Sequence, residues 1–268
     1  MPFSFAHISD VHIGSLAVGR CDAIVDIVNA ANPTCVIVSG DNTRRARQSE
    51  FEGAKAFYER FRCPTYVIPG NHDVPLYSFW GRLLRPTFRY EQVFGTPGYL
   101  VETPEYQILG INTASPWQPV EGRLRASDVA RIEQLCASGG DRLKIVVSHH
   151  PLPWILKRME ILRLRRDLIE RFLKCPVDFY LCGHRHQSVH SFSGDWFSNR
   201  YRFQSVFMQA GTATSARYRD ENNAFYINTW DGQRLLSKQW LWHAEVNHFV
   251  LEANVAFERD AVGWHVIE

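Results

Sequence analysis

Five short segments of this 268-residue chain concentrate side chains that bind metals or move protons: Ser9-Asp10-Val11-His12, Gly40-Asp41-Asn42, Gly70-Asn71-His72-Asp73, Ser148-His149-His150-Pro151 and Gly183-His184-Arg185-His186. Together they offer two carboxylates (Asp10, Asp41), one amide oxygen (Asn71) and four or five imidazoles (His12, His149 or His150, His184, His186). This hard-to-borderline set suits Mn, Fe, Zn or Co and excludes a thiolate site. Asp-x-His and His-x-His put alternate side chains on one side of an extended or turning segment, so both members of a pair reach a shared centre. Glycine directly before Asp41, Asn71 and His184 permits positive φ or close backbone approach. So many donors exceed one tetrahedral ion and suit two ions about 3.5–4 Å apart, the arrangement that clamps the attacking and leaving oxygens in phosphoryl displacement.

The elements that carry these segments follow from hydrophobic patterning. Apolar runs at Phe3–Ile8, Cys35–Val38, Tyr66–Ile68, Gln107–Ile111, Ile145–Val147 and Phe179–Leu181 read as strands. Helical periodicity at Arg20–Ala31, Glu50–Phe61, from Ser127 to the Gly139-Gly140 break, and from about Leu156 to Lys174 supplies crossovers between them. Each of the five segments thus lies just beyond a strand, where ligands bind in an open α/β sheet. Turn and cap roles could explain single residues among them. They do not explain all five segments ending strands in this way.

After His186 the pattern changes to strands alone, at Val206–Ala210, Ala224–Trp230, Leu235–Trp242 and Phe249–Phe257, with a hairpin signal at Trp230-Asp231-Gly232-Gln233. One domain over 1–268 is expected, with a catalytic core to about 215 and antiparallel strands from about 216 as a dimer or cap element. The aromatic residues Trp230, Trp240, Trp242, Phe249, Phe257 and Trp264 read as sheet core plus a dimer surface.

In order and spacing, the five segments resemble the calcineurin-like metallophosphoesterase superfamily, whose pattern is D-x-H, G-D, G-N-H-[DE], H and G-H-x-H. The resemblance implies a four-layer α/β/β/α sandwich of two mixed sheets with a dinuclear site at strand C-terminal ends. It implies one divalent ion held by Asp10, His12, Asp41 and His186, a second by Asp41, Asn71, His149 and His184, and Asp41 bridging. His72, with Asp41 and Asn71, would form the catalytic set, His72 stabilising charge or protonating the leaving oxygen while a metal-bridging hydroxide attacks. His150 reads as a neighbour of the site, His7 as a core or supporting histidine, and Asp73 as a partner of His72 or a turn cap.

Arg44 stands three residues after Asp41, where purple acid phosphatases carry a tyrosine, and Gly-Asp-Asn-Thr-Arg-Arg departs from the protein Ser/Thr phosphatase pattern. The chain is most similar to class III cyclic-nucleotide phosphodiesterases and related small bacterial phosphodiesterases. The expected substrate is therefore a small phosphodiester, cyclic nucleotide or glycerophosphodiester-like. Nucleotide-linked or phospholipid phosphodiesters and DNA cleavage are alternatives, and a catalytically silent nucleotide or metal sensor is the alternative of another class.

Composition narrows the field further. Lys+Arg 30 against Asp+Glu 28 leaves a net charge of +2, which argues against nucleic acid as a partner, and 45% hydrophobic content excludes disorder. The six cysteines form no C-x-x-C pair and read as reduced thiols. No leader or membrane span is visible, so a cytoplasmic protein is expected. The basic stretch Leu156–Lys174 holds Lys157, Arg158, Arg163, Arg165, Arg166 and Arg171, and reads as a solvated face or a weak membrane contact.

Overall fold

The computed structural model describes residues 2–75, 79–118, 120–161, 165–197, 200–215 and 222–267. Strands β1 (Phe3–Ile8), β2 (Cys35–Val38) and β3 (Thr65–Val67) are parallel, joined by helices α1 (Arg20–Ala31) and α2 (Gln48–Tyr58). Helices α3 (Phe79–Leu84) and α4 (Phe88–Phe94) lead to an antiparallel pair, β4 (Tyr99–Glu102) and β5 (Tyr106–Gly110). Next come α5 (Ala126–Ala137), β6 (Leu143–Val147), α6 (Leu152–Ile161), α7 (Arg166–Leu173) and β7 (Phe179–Cys182). The chain ends with β8 (Val189–Phe192), α8 (Ser193–Phe197), β9 (Val206–Gln209), β10 (Ala224–Trp230), β11 (Arg234–His243), β12 (His248–Asp260) and β13 (Gly263–Ile267).

Two mixed sheets result, one of seven strands in the order β13-β12-β11-β10-β1-β2-β3 and one of six in the order β4-β5-β6-β7-β9-β8. Between them lies a core that includes Phe3, Phe5, Ile108, Ile145, Phe179, Met208, Phe257 and Trp264. Strand alternation sends Ala6 and Ile8 to the other face of β1, where they pack with Ile24, Val28, Ala54 and Phe57 of α1 and α2. Across the molecule Val146 and Tyr180 pack against Val129, Ile155, Ile169 and Phe172 of α5, α6 and α7. Helix, sheet, sheet and helix are therefore the four layers expected. The site segments follow β1, β2, β3, β6 and β7, five parallel strands that end at the same edge of the sandwich.

Four readings change. The stretch from Leu156 to Lys174 is not one helix: α6 ends at Ile161 and α7 begins at Arg166, after Arg165 at φ 47° in the left-handed region, while Leu162, Arg163 and Leu164 lie outside the described residues. Its charges are largely partnered, Lys157 and Arg200 with Glu160, Arg158 with Glu121, Arg165 with Asp167 and Arg171 with Glu133, and Leu156, Leu168, Ile169 and Phe172 face inward. The aromatic residues near the C-terminus are consumed within the chain: Trp230, Trp242, Phe249, Phe257 and Trp264 are buried, and Trp240 is half-buried against Phe225. Finally, β10 pairs antiparallel with β1, Phe3 to Trp230 through His7 to Tyr226, so the late strands extend the sheet that carries Asp10. The short helix α8 interrupts what reads as strands alone.

His7 points into the space between the sheets, where burial, then the charge of His190, pushes its pKa down to about 3, and burial pushes His190 down to about 4. Both fold neutral, and both would bind a proton in the unfolded chain below the ordinary value of 6.5. Stability is therefore complete above pH 6.5 and falls on acidification toward pH 4, by about 1.4 kcal/mol per pH unit for each group. A His190→Phe variant keeps the packing on Tyr226 and Phe257 and loses less stability between pH 6.5 and 5 than wild type. Equal slopes in chemical denaturation would contradict this.

Candidate metal centre

Left-handed backbone is concentrated at the site. Of the nine non-glycine residues with positive φ among the described residues, five are Asp10, His12, Asp41, His184 and His186, at φ 51° to 71°. Such conformations persist where surrounding structure over-determines them. Here the glycines allow the loops to close. A Cβ on Gly183 would lie 1.8 Å from Ser9 Oγ and 2.4 Å from Asp10 Oδ2, and one on Gly70 would lie 2.1 Å from Asp41 Oδ1. Gly40, at φ +100°, also passes His149 too closely for a side chain.

Backbone carbonyls set the direction of the rings. His149 Nδ1 donates to Ser39 O at 2.9 Å, His72 Nδ1 to Arg44 O at 2.9 Å, and His12 Nδ1 lies 3.4 Å from Thr43 O. In each ring this leaves Nε2 for the site. His149 Nε2 and His184 Nδ1 both stand 3.0 Å from Asn71 Oδ1, and His149 Nε2 is 3.4 Å from Asp41 Oδ2. His12 Nε2 lies 3.3 Å from His186 Nε2, 3.6 Å from Asp10 Oδ1 and 3.8 Å from Asp41 Oδ2. Asp41 therefore faces both groups with one oxygen while His72 N holds the other, Oδ1, at 2.8 Å.

The donors fit a cation. Asp10 Oδ1 is buried and receives no hydrogen bond, although His186 Nε2 is 3.0 Å away, so the two converge without the alignment of a donor and acceptor. Ligand atoms of Asp10, His12 and His186 lie within 4.8 Å of one another, as do those of Asp10, Asp41 and His149 and those of His149, His150 and His184. Burial opposes the ionised carboxylates, yet His186 and His12 beside Asp10, and His149, His12 and His72 beside Asp41, hold both well below the usual range. Burial alone would lower His149, but Asp41 outweighs it and pushes the ring up to about 9. Burial and the His149 charge push His184 down to about 4. The metal-free cluster thus keeps its carboxylates ionised and spends an imidazolium where an ion would displace a proton.

A set of supporting side chains is not marked by any spacing in the chain. Ser9 Oγ donates to Asp10 Oδ2 at 2.7 Å, Thr212 and Thr214 hydroxyls donate to the carbonyls of Asp10 and Val11, and Thr113 Oγ1 meets His150 Nδ1 at 2.9 Å. His150 is buried with its ring 4.5 Å from that of His184. His7 reaches Ser39 Oγ at 2.9 Å, beside the carbonyl that orients His149. Asp73 does not touch the His72 ring among the described contacts; it accepts from the backbone of Gly70, Asn42 and Thr43 and from the side chains of Asn42 and Thr43. The polar loop Arg217–Asn223 reads from its residue types as a contact for substrate or a second subunit, and its residues Arg217 to Glu221 lie outside the described residues.

Parallel strands ending in this Asp, Asn and His cluster, inside a double-sheet sandwich, define a metallophosphoesterase. The chain belongs to the calcineurin-like phosphoesterase family, whose model matches residues 3–188, and it is a phosphoesterase hydrolase of a family that uses divalent metal ions. It is 24% identical over 204 residues to a probable cyclic nucleotide phosphodiesterase of Synechococcus, covering 70% of this chain and 75% of that protein. It is 30% identical over 203 residues to the glycerophosphodiester phosphodiesterase GpdQ of Enterobacter lignolyticus, covering 68% and 70%. Among solved structures, PhoD superposes at TM-score 0.71 with 10% identity over 100% of this chain and 72% of that one. A purple acid phosphatase from yellow lupin seeds superposes at 0.70 with 14% identity over 97% of this chain, which spans about half, 54%, of the lupin chain. These two likenesses concern the fold. No described helix is long and apolar enough to cross a membrane.

Proposed function

We propose that this protein is a two-metal phosphodiesterase acting on a small phosphodiester. Asp10, His12, Asp41 and His186 would hold one ion, Asp41, Asn71, His149 and His184 the other, with Mn, Fe, Zn or Co compatible with the donors. The observation that carries this reading is Asp41, whose Oδ2 lies 3.4 Å from His149 Nε2 and 3.8 Å from His12 Nε2, between the two groups. When bound, the ions supply positive charge to the phosphoryl oxygens and an activated water.

The chain's own residues do the rest. Asn71 and the aspartates would hold the ions that the phosphate meets, and the carbonyls behind the rings of His149, His72 and His12 keep these imidazoles from rotating. His72 donates Nδ1–H to Arg44 O, which leaves Nε2 for the substrate. A proton carried there stabilises charge on the phosphoryl oxygen or passes to the leaving oxygen. The intact His72 favours turnover over a silent sensor, because binding alone needs no leaving-group acid. Two relatives named for phosphodiester hydrolysis support the diester class.

The test is a substrate panel with Mn-loaded protein: phosphomonoesters, cyclic nucleotides, glycerophosphodiesters and UDP-linked lipids, with metal content measured alongside. About two ions per chain and turnover of a diester are expected. A fully folded chain that binds less than about one ion and hydrolyses no diester overturns the proposal.

A further inference from the structure

The two loops that carry the histidines of the second group also carry an aromatic and a cation that the proposed chemistry does not use. Arg185 stands between His184 and His186, is exposed, and takes no carboxylate partner among the described residues. Its guanidinium lies 4.6 Å from the centre of the Trp154 ring. Trp154 is in the first turn of α6, directly after His149-His150-Pro151, with its backbone N bonded to Pro151 O at 3.1 Å. Although 48% exposed, its ring is held at the surface by Arg185 on one side and by Trp196, at 5.6 Å and 61°, on another. Trp196 is itself fixed by a hydrogen bond from Nε1 to Ser191 Oγ at 3.0 Å.

These groups border a cavity of about 160 Å³ that is also lined by Pro151 and Cys182, which adjoin the two histidine loops in the chain. A planar guanidinium on an indole, with no carboxylate partner among the described residues, presents a flat cationic face, and such a face prefers an aromatic ring carrying negative charge nearby. An aliphatic polyol has no π-face to stack on that surface. Stacking on aromatic and Arg planes is also tolerant of ring identity, because each aromatic ring has a π-face.

We infer that Arg185, Trp154 and Trp196 form a stacking subsite for a planar aromatic or heteroaromatic substituent of the substrate, whose phosphate sits at the adjoining metal centre. The inference rests on the phosphodiesterase reading and narrows it, selecting aromatic esters over glycerol esters. Arg185 and Trp154 are then specificity residues, and the phosphate chemistry is left to the ligand loops.

Calorimetric titration of the Mn-loaded chain with two monoesters tests it: phenyl phosphate and glycerol 3-phosphate share the phosphate and differ in the ring. Wild type is expected to bind phenyl phosphate more tightly, on the order of tenfold, with Trp154→Ala removing the preference and Trp154→Phe keeping most of it. Arg185→Ala should weaken the aromatic ligand more than glycerol 3-phosphate. Equal affinities in wild type, or a preference that survives Trp154→Ala, overturn the subsite. Turnover of bis(p-nitrophenyl) phosphate and of glycerophosphocholine is read separately. A chain that shows the binding preference but hydrolyses neither diester retains the subsite and loses the phosphodiesterase reading.

Discussion

Asp41→Asn is expected to lower phosphodiester turnover roughly a thousandfold and to reduce the metal content of the folded chain, because the two proposed ion sites share this carboxylate. The substitution is nearly isosteric. Its Oδ1 can still accept from His72 N, now 2.8 Å away, so the loop that carries His72 keeps its anchor. What changes is the side of the carboxylate that faces His149 and His12 at 3.4 and 3.8 Å. An amide there presents N–H donors to imidazole nitrogens and removes the negative charge that holds both rings on the site. In the metal-free variant His149 loses its main source of elevation while burial still opposes its charge, so its pKa falls from about 9. Metal analysis, a thermal melt and NMR titration of the histidines check these points together. A variant that melts like wild type, retains full metal and turns over within about tenfold would show that Asp41 does not bridge.

The second large effect concerns stability. Asp73→Ala should cost about 3–5 kcal/mol, because one buried carboxylate satisfies the Gly70, Asn42 and Thr43 amides and two side-chain donors at 2.8 to 3.1 Å. Burial and the neighbouring Asp41 charge push the Asp73 pKa up, so these five donors are what make the acid tolerable in the interior. Alanine leaves the three backbone N–H groups of Gly70, Asn42 and Thr43 without their acceptor. The melting temperature is expected to fall by about 10 °C. Because Asp73 ties the loop of Asp41 to the loop of Asn71 and His72, activity should drop about ten- to a hundredfold even where the chain remains folded. Asp73→Asn, which keeps one acceptor oxygen, should fall between. Loss of less than about 1 kcal/mol in equilibrium unfolding would mean that the two loops are positioned by other contacts.

Much of the scaffold was readable because it is local. The apolar alternation of Phe3–Ile8 and the stripe of Arg20–Ala31 match β1 and α1 residue for residue, and the turn at Asp231-Gly232 closes the β10–β11 hairpin with Gly232 at φ 112°. Where patterning failed, the signal was weak or nonlocal. Strands β4 and β8 are half-exposed edge segments that lack a continuous apolar run. The break at Arg165 carries no breaker signal, since neither Gly nor Pro occurs between Trp154 and Lys174. The pairing of β10 with β1 joins residues more than two hundred positions apart, and no feature of either strand names its partner. That pairing turned the expected extension into part of the sheet that supports Asp10.

The site divides along the same line. Residue types and their place after strands were sufficient to gather the candidate ligands and to choose oxygen and nitrogen donors over thiolates, while the family resemblance singled out His149 over His150 and pointed to His72. Folding decided which nitrogen of each ring faces inward, that Asp41 offers one oxygen to both groups, and that Asp73 ties two loops together and does not serve His72. The reason is physical. The orienting partners of His149, His72 and His12 are the carbonyls of Ser39, Arg44 and Thr43, and a carbonyl is carried by every residue. Side-chain identity is written in the chain, whereas the direction of a backbone acceptor exists only once the loops have closed against one another.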